Sequence, residues 1–315
     1  MIKKEIIDLV VSRTKITKRE LIEKDLILHR LLTELEENLQ FKEDYVFKGG
    51  TCLTKCYLGY YRFSEDLDFT YINQKKFDNK NQSQIRKFLS VKIDDNCKII
   101  ESISKEIGLD FKSDKKNVRY IQFGGSNRFV TFRLWYISEE EKKENFIKIQ
   151  INFVEKLFYP INKVSANNLF FGMYDTSQLL FFFPEESEWL LKIPNLNCYN
   201  LEEILTEKIR AILTRKGTKG RDFLDVFLIL SKNKDIELNS LKKKILEKIN
   251  FALKYEEYAI NFKNKSLDFI ENFQLGDEQK LLIKEIPPKF YNFLKEFKRF
   301  LKSIIEELNS ISILK

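Results

Sequence analysis

Near the start of the chain, Leu21, Ile22, Leu26, Ile27, Leu31, Leu32 and Leu35 fall on one apolar stripe at helical spacing. The pattern predicts helix over residues 1 to about 40, and then it shortens. Tyr45-Val46-Phe47 is a brief apolar run stopped by Gly49-Gly50, TCLTKCYL reads as a turn or two of helix, and LDFTYI reads as a strand. A polar loop over 73–82 leads to a long amphipathic helix over 83–107, carried by Ile85, Phe88, Leu89, Ile93, Ile99, Ile100, Ile103 and Ile107. Strands are predicted at Val118–Phe123, Phe129–Ile137 and Phe146–Phe153, with Gly124–Asn127 as a hairpin turn between the first two. Residues 154–199 read as irregular apart from LLFFF, a candidate strand. From Asn200, a plausible N-cap with Glu203 in a variant capping box, helices are predicted over NLEEILTEKIRAIL, 222–231, 239–262, 278–285 and 289–310. An α+β fold follows: an N-terminal domain over 1–195 with a mixed or antiparallel sheet and flanking helices, then a mainly helical C-terminal domain over 196–315.

Composition narrows the chemistry. The 315 residues hold 55 Lys+Arg against 47 Asp+Glu, a net charge of +8 that permits a polyanionic partner without requiring one. The 28 Phe and 13 Tyr supply large core units. With one histidine, His29, schemes that need two are excluded, and His29 lies on the apolar helix as a structural residue. Cys52, Cys56, Cys97 and Cys198 look scattered, as reduced thiols in a cytoplasm would be. No targeting segment is expected, and no apolar run approaches the roughly 18–20 residues that span a bilayer.

The most informative stretch is FKGGTCLTKCYLGYYRFSEDLDFTY, residues 47–71. Asp66 and Asp68 alternate with Leu67 and Phe69, so both carboxylates point to one side of a strand. Two such acids repel each other unless a cation lies between them, and hard oxygen ligands suit magnesium, or manganese in its place. Upstream, Gly49, Gly50 and Thr51 open a helix, where backbone N–H groups and a hydroxyl can meet a phosphate. A glycine pair or a D-x-D alone is ordinary, a turn or a surface acid. In this order they form a phosphate seat beside a metal seat, the arrangement of nucleotidyl or phosphoryl transfer.

GGTCLTKCYLGYYRFSEDLDF resembles the glycine motif and R-x-S-x-D-x-D of the AbiEii/AbiGii toxin family in the nucleotidyltransferase superfamily. IEKDLILHRLL (22–32) is similar to the N-terminal helix of that family. LEEILTEKIRAILTRKGTKGRDFLDVFLIL (201–230) is similar to its distal motif, a helical Lys followed by Arg-Asp-x-x-Asp. The resemblance implies a magnesium-dependent toxin that moves a nucleotide from a nucleoside triphosphate to an acceptor such as the 3′ end of transfer RNA, with an antitoxin encoded by the neighbouring gene. It implies catalytic roles for Asp66, Asp68, Lys208, Asp222 and Asp225, with Asp66 and Asp68 as metal ligands. Gly49, Gly50 and Thr51 would bind nucleotide, Arg62 and Ser64 would bind its phosphates or brace the loop, and Lys148 would aid the leaving group or contact the polynucleotide. Lys55 is as readily a solvated lysine.

One departure stands out. The superfamily places a third acid on a later strand, yet FIKIQINF carries Lys148, Gln150 and Asn152 there. The enzyme then works without a third acid, recruits Asp222 or Asp225, or binds nucleotide with weak activity. A metal-dependent nuclease would need a water-activating acid or histidine near the pair, which the sequence does not offer. Basic clusters at 75–87, 112–119 and 214–221 suit an RNA backbone, the last best of all through Lys216, Lys219 and Arg221. A protein hydroxyl remains an alternative acceptor.

Overall fold

Amphipathic spacing and caps set the first elements of the computed structural model, which describes residues 2–125, 128–171, 176–271 and 273–313. Helices α1 (Lys4–Thr14), α2 (Arg19–Glu37) and α3 (Leu39–Asp44) come first, with Asn38 capping α3 by accepting the Phe41 N–H at 3.0 Å. Strand β1 (Tyr45–Lys48) is buried along its length and runs into α4 (Gly49–Cys52), which continues as a π-helical turn over Leu53–Leu58. Strand β2 (Asp66–Tyr71) and helix α5 (Gln82–Ile107) follow, α5 opening on a reciprocal Asn81–Gln84 capping box. Then come β3 (Ile121–Gly124), β4 (Phe129–Ile137), β5 (Glu144–Asn152) and β6 (Ile161–Ser165). Helices α6 (Ser177–Phe182) and α7 (Pro184–Leu190) lead to β7 (Asn195–Tyr199).

The strands form one seven-stranded sheet in the order β3-β4-β5-β2-β1-β7-β6. Pairings β2/β5 and β1/β7 are parallel and the others antiparallel, the mixed sheet that the pattern predicts. Leu67, Phe69, Ile147, Ile149, Ile151, Val130, Phe132 and Leu134 are buried, and Phe69 meets Phe41 edge-on at 5.0 Å between ring centres. His29 is fully buried, with Nε2 2.9 Å from the Lys192 carbonyl, as its place on the apolar helix suggested.

Some readings change. The first four residues of LLFFF are helical, in α6, where only Leu179 is buried; the strands of that region are INKVS and NLNCY. Edge strand β6 buries neither face, so no alternation marked it. Of the hairpin turn, Ser126 and Asn127 lie outside the described residues. The cysteines are not scattered: the sulfurs of Cys52, Cys56 and Cys198 lie within 4.8 Å of one another.

The chain divides into two compact units, one of Met1–Glu155 with Ile161–Tyr199, the other of Lys156–Pro160 with Asn200–Lys315. The second holds α8 (Leu201–Thr214), α9 (Gly220–Lys232), α10 (Leu238–Ala252), α11 (Glu256–Lys263) and α12 (Lys289–Ile313). The predicted helix over 239–262 is split, because Tyr255 takes extended backbone at φ −100° and ψ 123°. The one predicted over 278–285 is a short 3-10 helix, Gly276–Leu281. Asn200 does cap α8, accepting the Glu203 N–H at 2.9 Å. The Glu203 carboxylate instead accepts the backbone N–H groups of Phe158 and Tyr159 at 2.8 and 3.0 Å and pairs with buried Lys248, tying residues 156–160 to α8.

Candidate nucleotide and metal site

In the first unit, β1 hands the chain to Gly49 at φ +80°, a left-handed backbone that favours glycine. Space demands glycine as well. A Cβ on Gly49 would lie 2.2 Å from Asp68 Oδ2, and one on Gly50 would lie 2.6 Å from Arg62 Nη2 and 3.1 Å from Ser64 Oγ. The turn is therefore pressed against the second acid and the two polar residues ahead of it. Asp66 and Asp68 are half-buried while Leu67 and Phe69 are buried, so both carboxylates leave the apolar face.

Register completes the surroundings. Lys48 pairs with Asp68 on one side; on the other, Asp66 pairs with Lys148 and Asp68 with Gln150. Lys148 Nζ stands 3.9 Å from Asp66 Oδ1. Gln150 occupies the strand position beside Asp68 and donates through Nε2 to Thr131 Oγ1 at 3.3 Å. Lys48, which the sequence analysis did not single out, is buried with its ammonium 5.7 Å from the Tyr199 ring centre. Its signal lay in pairing register, which a single sequence does not display.

Several residues read as ligand contacts are held by the protein itself. The buried Thr51 hydroxyl donates to the Asp66 carbonyl at 2.5 Å, fastening the helix start to the acid strand. Arg62 is buried, donates from Nη1 to the Phe63 carbonyl at 2.8 Å and lies over the Tyr61 ring. Lys55 is buried rather than solvated: its Nζ is 2.8 Å from Asp25 Oδ1 and 2.7 Å from the Tyr60 hydroxyl, which itself lies 2.7 Å from Asp25 Oδ2. Glu23 accepts the Ser138 hydroxyl at 2.6 Å, and Lys24 reaches Glu65 at 3.2 Å. The Glu-Lys-Asp segment thus braces the π-helical turn and the approach to Asp66.

With a cradle that excludes even a methyl group beside Asp68, and with two carboxylates on one face, the donor set suits a hard divalent cation such as magnesium or manganese. It does not suit a soft one.

In the second unit, Lys208 on α8 meets both acids of α9, 3.1 Å from Asp222 Oδ1 and 2.5 Å from Asp225 Oδ2. Arg215, read from sequence only as part of the basic cluster at 214–221, adds a 2.6 Å contact to Asp222 Oδ2. Burial pushes the Asp222 carboxyl up, but the Lys208 and Arg215 charges outweigh it and hold it below the usual carboxylate range. Arg221 pairs with Glu278 at 3.2 Å. Lys216 and Lys219 are exposed on the α8–α9 loop, where Lys265 donates to the Arg215 and Gly217 carbonyls at 2.6 and 2.8 Å.

A glycine turn pressed on an acid pair within a mixed sheet is compatible with nucleotidyl transfer. The chain belongs to the AbiEii family: the model of the nucleotidyl transferase AbiEii toxin, type IV toxin–antitoxin system, matches residues 30–310. Residues 22–29 precede the matched range. No curated protein matches the chain. Among solved structures it is similar to MenT4, a nucleotidyltransferase toxin from Mycobacterium tuberculosis H37Rv, with 16% identity over 98% of this chain and 99% of that one and a TM-score of 0.49. It is also similar to JHP933 from Helicobacter pylori, with 16% identity over 93% of this chain and 98% of that one and a TM-score of 0.40. Membership makes this chain a nucleotidyltransferase toxin of a type IV toxin–antitoxin system, with an antitoxin as its genetic partner. Among the described residues, no helix is long and apolar enough to cross a membrane.

Proposed function

We propose that the chain transfers a nucleoside monophosphate from a nucleoside triphosphate to an RNA hydroxyl, with the 3′ end of transfer RNA as the acceptor. The observation that carries this reading is the contact between the Gly49 turn and Asp68, which brings a phosphate seat and an acid pair together. Asp66 and Asp68 would hold magnesium, which when bound supplies charge neutralisation at the phosphates. The backbone N–H groups at Gly49–Thr51 would face the triphosphate, with Thr51 bonded to the Asp66 carbonyl and Arg62 packed against Gly50 to keep that backbone in place. Lys148 adds a positive charge beside Asp66, placed to bind a phosphate oxygen. Ser64 lies against Gly50 on the same side as Arg62, close enough to brace the turn.

For Lys208, Asp222 and Asp225 we propose a positioning role: the buried ion cluster clamps α8 to α9 and sets the loop that carries Lys216 and Lys219. Those exposed lysines, with Arg221 at the start of α9, suit an RNA backbone. The test is incubation with magnesium, each labelled nucleoside triphosphate in turn and total transfer RNA, with Asp66→Asn as control. Label enters RNA only with the intact acid pair; label in protein instead would redirect the reading to protein modification. No label despite nucleotide binding would mean that Gln150 has cost the site its activity.

A further inference from the structure

The first unit carries a second cluster of metal-ligating groups that the transfer reaction does not use. Cys52 ends α4, Cys56 lies four residues on in the π-helical turn, and Cys198 comes from β7. Spacing of i and i+4 puts the first two on one helical face. Parallel pairing of β1 with β7 aligns Cys198 with Phe47, two residues before Gly49. All three sulfurs lie within 4.8 Å of one another, and those of Cys56 and Cys198 are 3.8 Å apart. A cation about 2.3 Å from each of several thiolates holds them about 3.8–4.0 Å apart, so the preformed spacing is close to that of a loaded site. The cysteines are not disulfide-bonded.

We propose that Cys52, Cys56 and Cys198 bind one thiophilic d10 cation, zinc(II) or copper(I). Hard cations are disfavoured by an all-sulfur donor set, which separates this site chemically from the Asp66–Asp68 pair. Three thiolates complete a trigonal shell for copper(I); zinc(II) takes the same three with a water in the fourth position, on the side where Cys56 is half-open. Cys52 and Cys198 are fully buried, so the cation is shielded from competing ligands. Each thiol releases its proton to solvent on binding, and no electron is transferred. A bound cation joins the helix after the glycine turn to the strand beside β1, and so stiffens the base of the nucleotide site.

The full chain is purified under reducing, anaerobic conditions and its metal content measured by mass spectrometry, after which the metal-free protein is titrated with cobalt(II) and, separately, with copper(I) against a chromophoric chelator. The expected result is one equivalent of cation per chain, a thiolate-to-cobalt charge-transfer band, and a melting temperature that rises with the cation. Cys56→Ser and Cys198→Ser lose the band, while Cys97→Ser, outside the cluster, keeps it. Zinc or copper in the purified chain names the cation. Should the serine variants not fold, the band intensity of the unaltered chain decides: three thiolates per cobalt uphold the site, and one or two overturn it. Absence of binding by the reduced chain, or a band that survives both substitutions, overturns it too.

Discussion

Gly49→Ala tests whether the glycine turn and Asp68 act as one unit. Gly49 sits at φ +80°, so alanine there carries about 1–2 kcal/mol of left-handed strain. Its Cβ would also lie 2.2 Å from Asp68 Oδ2, 2.9 Å from Cγ and 3.0 Å from Cβ. Contact reaches the root of a short side chain, so the carboxylate must leave its rotamer at a further cost of about 0.5–1.5 kcal/mol. Gly108→Ala is the reference, since Gly108 is left-handed at φ +77° and ψ 33° with nothing within 4 Å of an added Cβ. Only the backbone strain is common to both. Gly49→Ala should therefore be less stable than Gly108→Ala by about 0.5–1.5 kcal/mol in denaturant melts followed by circular dichroism. Nucleotide incorporation should fall on the order of 100-fold in Gly49→Ala, where the acid is displaced, and stay near the unaltered level in Gly108→Ala. Adding Asp68→Ala to Gly49→Ala should return part of the stability but none of the activity, a coupling that a double-mutant cycle isolates. Equal stability and equal activity of the two alanine variants would refute the contact.

Other expectations come from the same geometry. Lys208→Met leaves the fully buried Asp225 carboxylate without its 2.5 Å cation and should cost about 3–5 kcal/mol, whereas Lys208→Met with Asp225→Asn should cost less than the single change; a double that is worse would sink the clamp. His29 has its pKa lowered from 6.5 to about 3 by burial and by the Lys55 charge, so the unfolded chain takes up its proton first. Stability should fall by up to about 1.4 kcal/mol per pH unit from that residue as pH drops from 6.5 towards 3, and His29→Gln should flatten this slope; a parallel pH profile for the variant would show that His29 is not its source. Asp222, held low by Lys208 and Arg215, contributes stability above the ordinary carboxylate range that is lost as pH falls through its depressed value, a loss that Asp222→Asn should remove. Gln150→Glu places a third carboxylate at the position paired with Asp68 and should lower the magnesium concentration needed for half-maximal incorporation; an unchanged magnesium profile would mean that this position does not face the metal.

Legibility in the sequence follows burial. β1, β2, β4 and β5 alternate or run apolar because the sheet interior buries one face or both, and α2 and α5 show clean stripes for the same reason. β6 and β7 were not read as strands because an edge strand with five open or half-open residues and the short NLNCY carry little hydrophobic contrast. LLFFF misled in the other direction: apolar composition suggested a strand, yet Leu180, Phe181 and Phe182 are exposed on a helix. The split at Tyr255 lies inside a continuous amphipathic pattern, where no glycine or proline marks it.

At the candidate site, residue types were legible and their duties were not. Gly49, Gly50, Asp66 and Asp68 stand out because the need for a missing side chain and for paired charge is written in residue identity. Thr51, Arg62 and Lys55 carry groups that suit a phosphate equally well, and only packing shows that a backbone carbonyl, a neighbouring ring and the Asp25 carboxylate engage them. A polar group buried this deeply must find a partner in the protein, since leaving it unmet costs about 1–3 kcal/mol. With those side chains committed to holding the turn, the proposed triphosphate would be met by the backbone N–H row, by Lys148 and by a cation on the acid pair. On the proposed reading, that division of labour explains why a glycine loop this short has so many buried polar residues behind it: its ligand contacts would be backbone groups, and backbone groups are positioned only by what braces them.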